Sequence, residues 1–256
     1  MERRLRARIF ARSLMLQAWW NSENMQNLGF LFAFEPWLER IYGDPGRRSA
    51  AAARHLEFFN TQPYMAGLIL GVVGALEEEL ARLPEAGRAA AEGRIRALKK
   101  AAAEALGAIG DRLFWGALRP ACAAAAIAAW WIFWTAGVPH PLLAGCLLYL
   151  ALFNASALWV RWQGLRLGYL WKERLPAELA RYRWQKAASW IRTAGLCAAV
   201  LSALAGLLVP PWGPFSLWNA GVLAGCVALE AFGVPAPRIY LGMIALGSAI
   251  AALGPA

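Results

Sequence analysis

Acidic charge is scarce in this chain: 16 Asp and Glu stand against 26 Lys and Arg, for a net charge of +10. After Arg192 charge of either sign nearly vanishes, with only Glu230 and Arg238 remaining. Histidine is limited to His55 and His140, and no Ser or Cys nucleophile motif stands near His55. The four cysteines, Cys122, Cys146, Cys197 and Cys226, all lie in apolar stretches and form no Cys-x-x-Cys pair. That argues against metal and disulfide roles and reads them as small packing residues, with no cofactor expected. The basic segment Met1–Arg12 is not followed by a continuous apolar run with a small-residue cleavage site, so no cleaved signal peptide is expected. Basic residues are not interleaved with aromatics as in a nucleic-acid module, so the positive charge needs another explanation.

Apolar residues supply it. They make up 59% of the chain, with mean hydropathy +0.41 and 14 Trp, against about 45–50% apolar in ordinary globular proteins. Residues 121–138, 142–160 and 191–209 approach the roughly 17–25 apolar residues of a spanning helix. Residues 217–232 and 239–253 are shorter candidates. The basic excess is segmental: residues 1–12 hold five Arg and one Glu, 80–112 seven basic and four acidic groups, and 161–192 eight basic and two acidic. The link at 138–141 carries no formal charge. By the positive-inside rule the N-terminus and the loop 161–190 are cytoplasmic. Pro210–Ser216 turns outside and the C-terminus ends outside. Tryptophans near the segment ends, among them Trp19, Trp20, Trp134, Trp159, Trp190, Trp212 and Trp218, fit an interfacial belt.

The first 120 residues read differently. Ser22-Glu23 marks a helix start, Met25, Leu28, Gly29 and Phe32 recur at helical spacing, and Pro36 interrupts the pattern. Asp44-Pro45 predicts the start of a helix running towards Phe59. The polar break Asn60-Thr61-Gln62-Pro63 precedes a short apolar arm, Met65–Leu76, closed by Glu77, Glu78 and Glu79. Residues 85–106 form an Ala-rich helix with an apolar stripe of Ile95, Leu98, Ala102 and Leu106, and Glu92 is spaced to pair with Arg96. A second break, Gly107–Arg112, precedes an arm, Leu113–Leu118, cut short by Arg119-Pro120. Non-helical backbone at membrane depth survives only in protein or beside a wet cavity. Paired interruptions therefore point to a transporter site.

Gln17–Tyr42 with Met25-Gln26-x-Leu28-Gly29-Phe30 and Pro36, then Arg54–Pro63, Glu77-Glu78, Gly110-Asp111-x-x-Phe114-Trp115 and Arg119-Pro120, resemble the IID membrane component of the mannose-type (mannose/fructose/sorbose) phosphotransferase system. The likeness is dense from about Ser13 to Pro120 and thinner through Gly164 and Gly168-Tyr169. It implies a subunit that pairs with IIC, as a trimer of IIC–IID pairs, to conduct a hexose. Soluble IIA and IIB partners would carry the phosphohistidines, and this chain would catalyse nothing alone. Two departures stand out: Ala105–Ile109 replaces a Met-Gly-Pro-Leu-Ala-Gly-like run, and Arg112 follows Asp111 where the family has a small residue or Pro.

The expected architecture is an all-α integral membrane protein: a region 1–120 with amphipathic cytoplasmic helices and two short re-entrant arms, then a transmembrane region 121–256. Asn60, Thr61 and Gln62 offer neutral donors and acceptors suited to sugar hydroxyls, or else Asn60 and Thr61 cap broken helices. Glu77 and Glu78 are intramembrane acids, functional by default. Asp111 is a site, gate or cap residue, beside which Arg112 offers an ion pair. Asn24 and Gln26 are secondary site candidates. Glu230, alone in an apolar run, needs a partner subunit, a wet cavity or Arg238. Two other readings remain open: a non-transporting regulatory or assembly subunit with the same fold, and an intramembrane enzyme using His55 with Glu77 or Asp111.

Overall fold

The computed structural model describes residues 1–208 and, beyond them, the single residues Gly225, Arg238, Leu241, Gly242 and Ala245. The expected spans 217–232 and 239–253, the turn Pro210–Ser216, Cys226, Trp212, Trp218 and Glu230 lie outside the described residues. The chain divides into two compact units, Met1–Ala199 and Val200–Ala256. In the second, the described stretch is helical from Val200 to Leu208.

Among the described residues all regular structure is helical. The first unit opens with α1 (Arg3–Ser13), α2 (Asn27–Ile41) and α3 (Pro45–His55). Helix α2 buries Phe30, Phe34, Trp37 and Leu38, one apolar stripe at helical spacing. It starts at Asn27, later than the Ser22-Glu23 signal, because Asn21 and Met25 first close a tight turn with Met25 at φ +57°. Pro36 does not interrupt α2. A helical proline strips the carbonyl four residues earlier of its donor, and here Arg12 Nε takes up that Phe32 carbonyl at 2.6 Å. The same guanidinium lies over the Phe32 ring and pairs with Glu35 at 2.7 Å. At α3 the expected cap is present: the Asp44 carboxylate accepts from the Arg47 N–H at 2.7 Å, with Pro45 in the first turn.

Helix α4 (Ala66–Arg82) is buried on every face from Ala66 to Glu77. It packs on α7 (Pro141–Trp171) through two small-residue motifs, Gly67-x-x-x-Gly71 and Gly164-x-x-x-Gly168. A Cβ on Gly67 or Gly71 would meet the carbonyls of Arg161 or Leu165, and one on Gly168 the carbonyl of Leu68. Backbones this close are how helices associate where no hydrophobic force drives them together.

Helix α5 (Glu85–Gly110) carries the expected stripe, with Ile95, Ala102 and Leu106 buried. Glu92 pairs with Arg54 and Arg96 with Glu57, so the expected Glu92–Arg96 pair gives way to contacts between helices. The second expected break is not one. Residues Asp111–Leu118 form a π-helical segment, and α6 (Arg119–Thr135) follows without a turn, making one continuous helix from Glu85 to Thr135. Its i→i−5 bonds, such as Arg119 N–H to Phe114 C=O, widen the turn just where the Pro120 ring would strike a preceding carbonyl. A second short arm is therefore absent, and Arg119-Pro120 does not stop the helix.

Helices α6 and α7 form a hairpin over a link in which Gly137 and His140 have positive φ. The continuous helices Glu85–Thr135 and Pro141–Arg181 are long and apolar enough to cross a membrane, and only 11% and 17% of their apolar windows are buried. Ile132, Leu142, Leu143 and Leu147 point outward, as in helices solvated by lipid. After a short 3-10 turn come α8 (Leu175–Arg181) and α9 (Trp184–Leu208).

Candidate functional site

The break between α3 and α4 is pinned from three sides. Helix α3 ends at Leu56, whose carbonyl accepts from Asn27 Nδ2 at 2.6 Å. Phe59 then pairs with the Asn21–Gln26 turn: Gln26 N–H donates to its carbonyl at 2.8 Å and its own N–H reaches Asn24 C=O at 3.3 Å. The buried Gln26 amide serves both sides of Thr61, donating to its carbonyl at 2.9 Å and accepting from its N–H at 3.1 Å. The Thr61 hydroxyl donates to Ala103 C=O of α5 at 3.0 Å. Gln62 lies on Gly110, where a Cβ would come 2.5 Å from the Gln62 Cβ. Thus the two stretches singled out in the sequence, 60–63 and 107–111, do meet, although only the first is a chain break.

Neither Asn60 nor Thr61 is a helix cap, since α3 is closed at Leu56 and α4 begins beyond Met65. The Gln62 side chain accepts from Tyr64 N–H at 2.7 Å, which leaves its buried Nε2 without a partner. Asn60 and Asp111 are exposed, and their side chains make no hydrogen bond or ion pair among the described residues. The expected Asp111–Arg112 pair is therefore not formed. Asn24 is half-buried, and only its backbone is engaged, its N–H by Asn21 Oδ1 at 2.8 Å.

Behind the break lies a buried ionic cluster. Glu77 accepts four hydrogen bonds: Arg54 Nε at 2.8 Å and His55 Nε2 at 3.1 Å on one oxygen, Arg54 Nη2 at 3.0 Å and the Tyr42 hydroxyl at 2.7 Å on the other. Burial alone would push this carboxyl up, but the bonds from Arg54 and His55 outweigh it and hold it at about 2. Burial pulls His55 down to about 4 against the opposing effect of Glu77. The ring is neutral at physiological pH, so its proton sits on Nε2, facing the carboxylate, and Nδ1 is bare and unpartnered. Phe30 and Phe34 pack on the ring. His55 and Glu77 do come together, as a catalytic reading requires, but at 1% and 0% side-chain exposure and with both Glu77 oxygens occupied. Asp111 bonds to neither.

The three consecutive acids each serve a different element. Glu77 holds α3, Glu78 accepts from Trp37 Nε1 of α2 at 2.9 Å and from the Tyr169 hydroxyl of α7 at 2.7 Å, and exposed Glu79 pairs with Lys172. Together they fasten the end of α4 to α2, α3 and the end of α7.

Two buried cations escaped the sequence reading. Lys99 donates to His55 C=O at 3.1 Å and sits 4.1 Å from the Phe30 ring and 5.2 Å from Phe59. Its signal was a lysine inside the Ile95–Ala102 apolar stripe. Arg161, just past the apolar stretch 142–160, bonds Ser13 C=O. The glycine motifs of α4 and α7 were also legible as Gly-x-x-x-Gly, once both were read as one contact. Among the described residues no group of three or more His, Cys, Asp or Glu side chains is placed to hold a metal ion.

The family described as "PTS system mannose/fructose/sorbose family IID component" matches residues 1–210. The mannose-specific EIID component of Escherichia coli K12 is 40% identical over 163 residues, 63% of this chain and 53% of that relative. The fructose permease IID component of Bacillus subtilis 168 is 32% identical over 208 residues, 80% of this chain and 68% of its own length. The chain spans about half the length of the E. coli relative it matches. Two solved structures are similar at 28% identity, each covering 99% of this chain and 97% of the other. One is a membrane protein (TM-score 0.71), the other the mannose transporter ManYZ in complex with microcin E492 (TM-score 0.56).

Proposed function

Because the chain belongs to the mannose/fructose/sorbose family of phosphotransferase-system IID components, we propose that it forms, with a IIC subunit, the translocation pathway for a mannose-type hexose. It sits in the bacterial inner membrane with its N-terminus in the cytoplasm and its C-terminus outside, in a trimer of IIC–IID pairs. The chain catalyses nothing alone; soluble IIA and IIB partners carry the phosphohistidines and phosphorylate the sugar on delivery.

The observation that carries this reading is the buried, unpartnered Gln62 Nε2 at the seam between the break and Gly110. A desolvated donor costs about 1–3 kcal/mol unless something accepts from it, and a sugar hydroxyl is suited to do so. Asn60, Asp111 and Asn24, whose side chains are not engaged among the described residues, complete the sugar-contacting set. Thr61 and Gln26 hold the seam in shape, and Glu77 and Glu78 fasten the far end of the helix that leads from it. Helix α4 is the one remaining candidate for a re-entrant arm, carrying the break to the membrane boundary within a layer of amphipathic cytoplasmic helices, α1 to α3. Arg112 beside Asp111, unpaired among the described residues, favours one rival, a regulatory or assembly subunit that keeps the fold without transporting.

The test is mannose binding by the purified IIC–IID complex carrying Gln62→Leu or Asn60→Ala. Each variant should bind at least tenfold more weakly with complex assembly intact. Unchanged binding in both variants removes the seam from the sugar site.

A further inference from the structure

On the face of α5 opposite the ionic cluster, a cleft of about 680 Å³ opens between the end of α5, α8 and the first turns of α9. Its walls include three cations, Arg112, Arg183 and Lys186, together with Tyr182, Trp184 and Gln185. All three cations are exposed, and none makes an ion pair or side-chain hydrogen bond among the described residues. Among the described residues no acid lines the cleft. Three like charges around one hollow repel each other, and an anion is the ligand that relieves this.

The surroundings say which anion. The helix turns apolar beyond Arg119, and α9 does so beyond Arg192. Both run from the cleft in the same direction, because Gly195 of α9 packs directly on Ala121 of α6. Trp190 and Leu196 are about two-thirds exposed on that stretch of α9. The cleft is therefore a basic mouth with an aromatic rim, set where two apolar helical stretches begin. Basic pockets between membrane helices on the cytoplasmic side suit anionic lipid headgroups, and exposed apolar helix faces beyond them suit acyl chains.

We infer that this cleft is a binding site for an anionic phospholipid, whose phosphate is held by Arg112, Arg183 and Lys186 and whose acyl chains lie along α6 and α9. The site lies away from the Gln62 seam and does not depend on the sugar reading. It also gives Arg112 a role of its own.

The test is native mass spectrometry of the delipidated full chain titrated with phosphatidylglycerol, phosphatidylcholine or inorganic phosphate. The wild type should take up one phosphatidylglycerol in preference to phosphatidylcholine, and millimolar phosphate should not displace it. The triple variant R112Q/R183Q/K186Q should bind at least tenfold more weakly, while R112K/R183K retains most of the affinity. Equal uptake of phosphatidylcholine, displacement by free phosphate, or undiminished phosphatidylglycerol binding by the glutamine variant would overturn the assignment. All three positions are exposed, so the variants fold, and an unchanged melting temperature verifies it.

Discussion

Gln62 rests directly on Gly110: a Cβ at position 110 would lie 2.5 Å from the Gln62 Cβ and 2.6 Å from its Cγ. The contact joins the break between α3 and α4 to the last turn of α5, just before the helix widens into its π segment. Atoms this near the Gln62 backbone cannot swing aside as the tip of a flexible side chain would.

Gly110→Ala should therefore displace Gln62. Overpacking of this kind costs about 1–3 kcal/mol, visible as a lower melting temperature of the purified protein. Sugar binding should fall more than the melting temperature does, because the displaced group is the one with the free donor. A G110A protein with wild-type melting and wild-type mannose affinity would mean that the seam is neither tight nor used.

The pair of His55 and Glu77 sets the pH dependence on the acid side. His55 is buried neutral at about 4 against an ordinary 6.5, so between those values the unfolded chain binds more protons than the folded one. Its contribution, on the order of 3 kcal/mol, is full above pH 6.5 and is lost as pH falls towards 4. Glu77 is held down at about 2, so its contribution is full above about 4.5 and is lost as pH falls towards 2. Thermal melting should drop in the upper window for the wild type and stay flatter there for His55→Gln, with the acid loss kept by both. Stability that rises on acidification from 6.5 to 5 would contradict this arrangement.

Arg12 stands in for the hydrogen bond that Pro36 removes. Arg12→Met should cost about 1–3 kcal/mol by leaving the Phe32 carbonyl unsatisfied. In a Pro36→Ala background, where the N–H of residue 36 can reach that carbonyl again, the same substitution should cost clearly less. A double-mutant cycle on melting free energies measures the difference; additive effects would show that the two residues do not share the carbonyl.

Local signals were legible in the sequence where a residue acts on its own neighbours. The Asp44-Pro45 start, the stripe on α5 and the two apolar spans all appear where periodicity and capping place them. Signals that depend on distant partners were misread. Pro36 looks like an interruption until Arg12, 24 residues away, supplies the missing donor. Gly107–Arg112 with Pro120 looks like a break, but a π segment carries the helix through. Glu77 reads as a free intramembrane acid because Arg54, His55 and Tyr42 converge on it only in the fold. Residues 60–63 meet Gly107–Gly110 without a second arm, and both that contact and the free amide of Gln62 follow only from the geometry.

The central claim is that this chain is half of a sugar pathway, and uptake tests it most directly. The chain and its IIC partner are reconstituted into liposomes loaded with IIA, IIB and a phosphoryl donor, and phosphorylated mannose accumulating inside is measured. The account predicts accumulation that requires this chain and falls at least tenfold with Gln62→Leu. An assembled complex that binds its soluble partners yet delivers no sugar would contradict it.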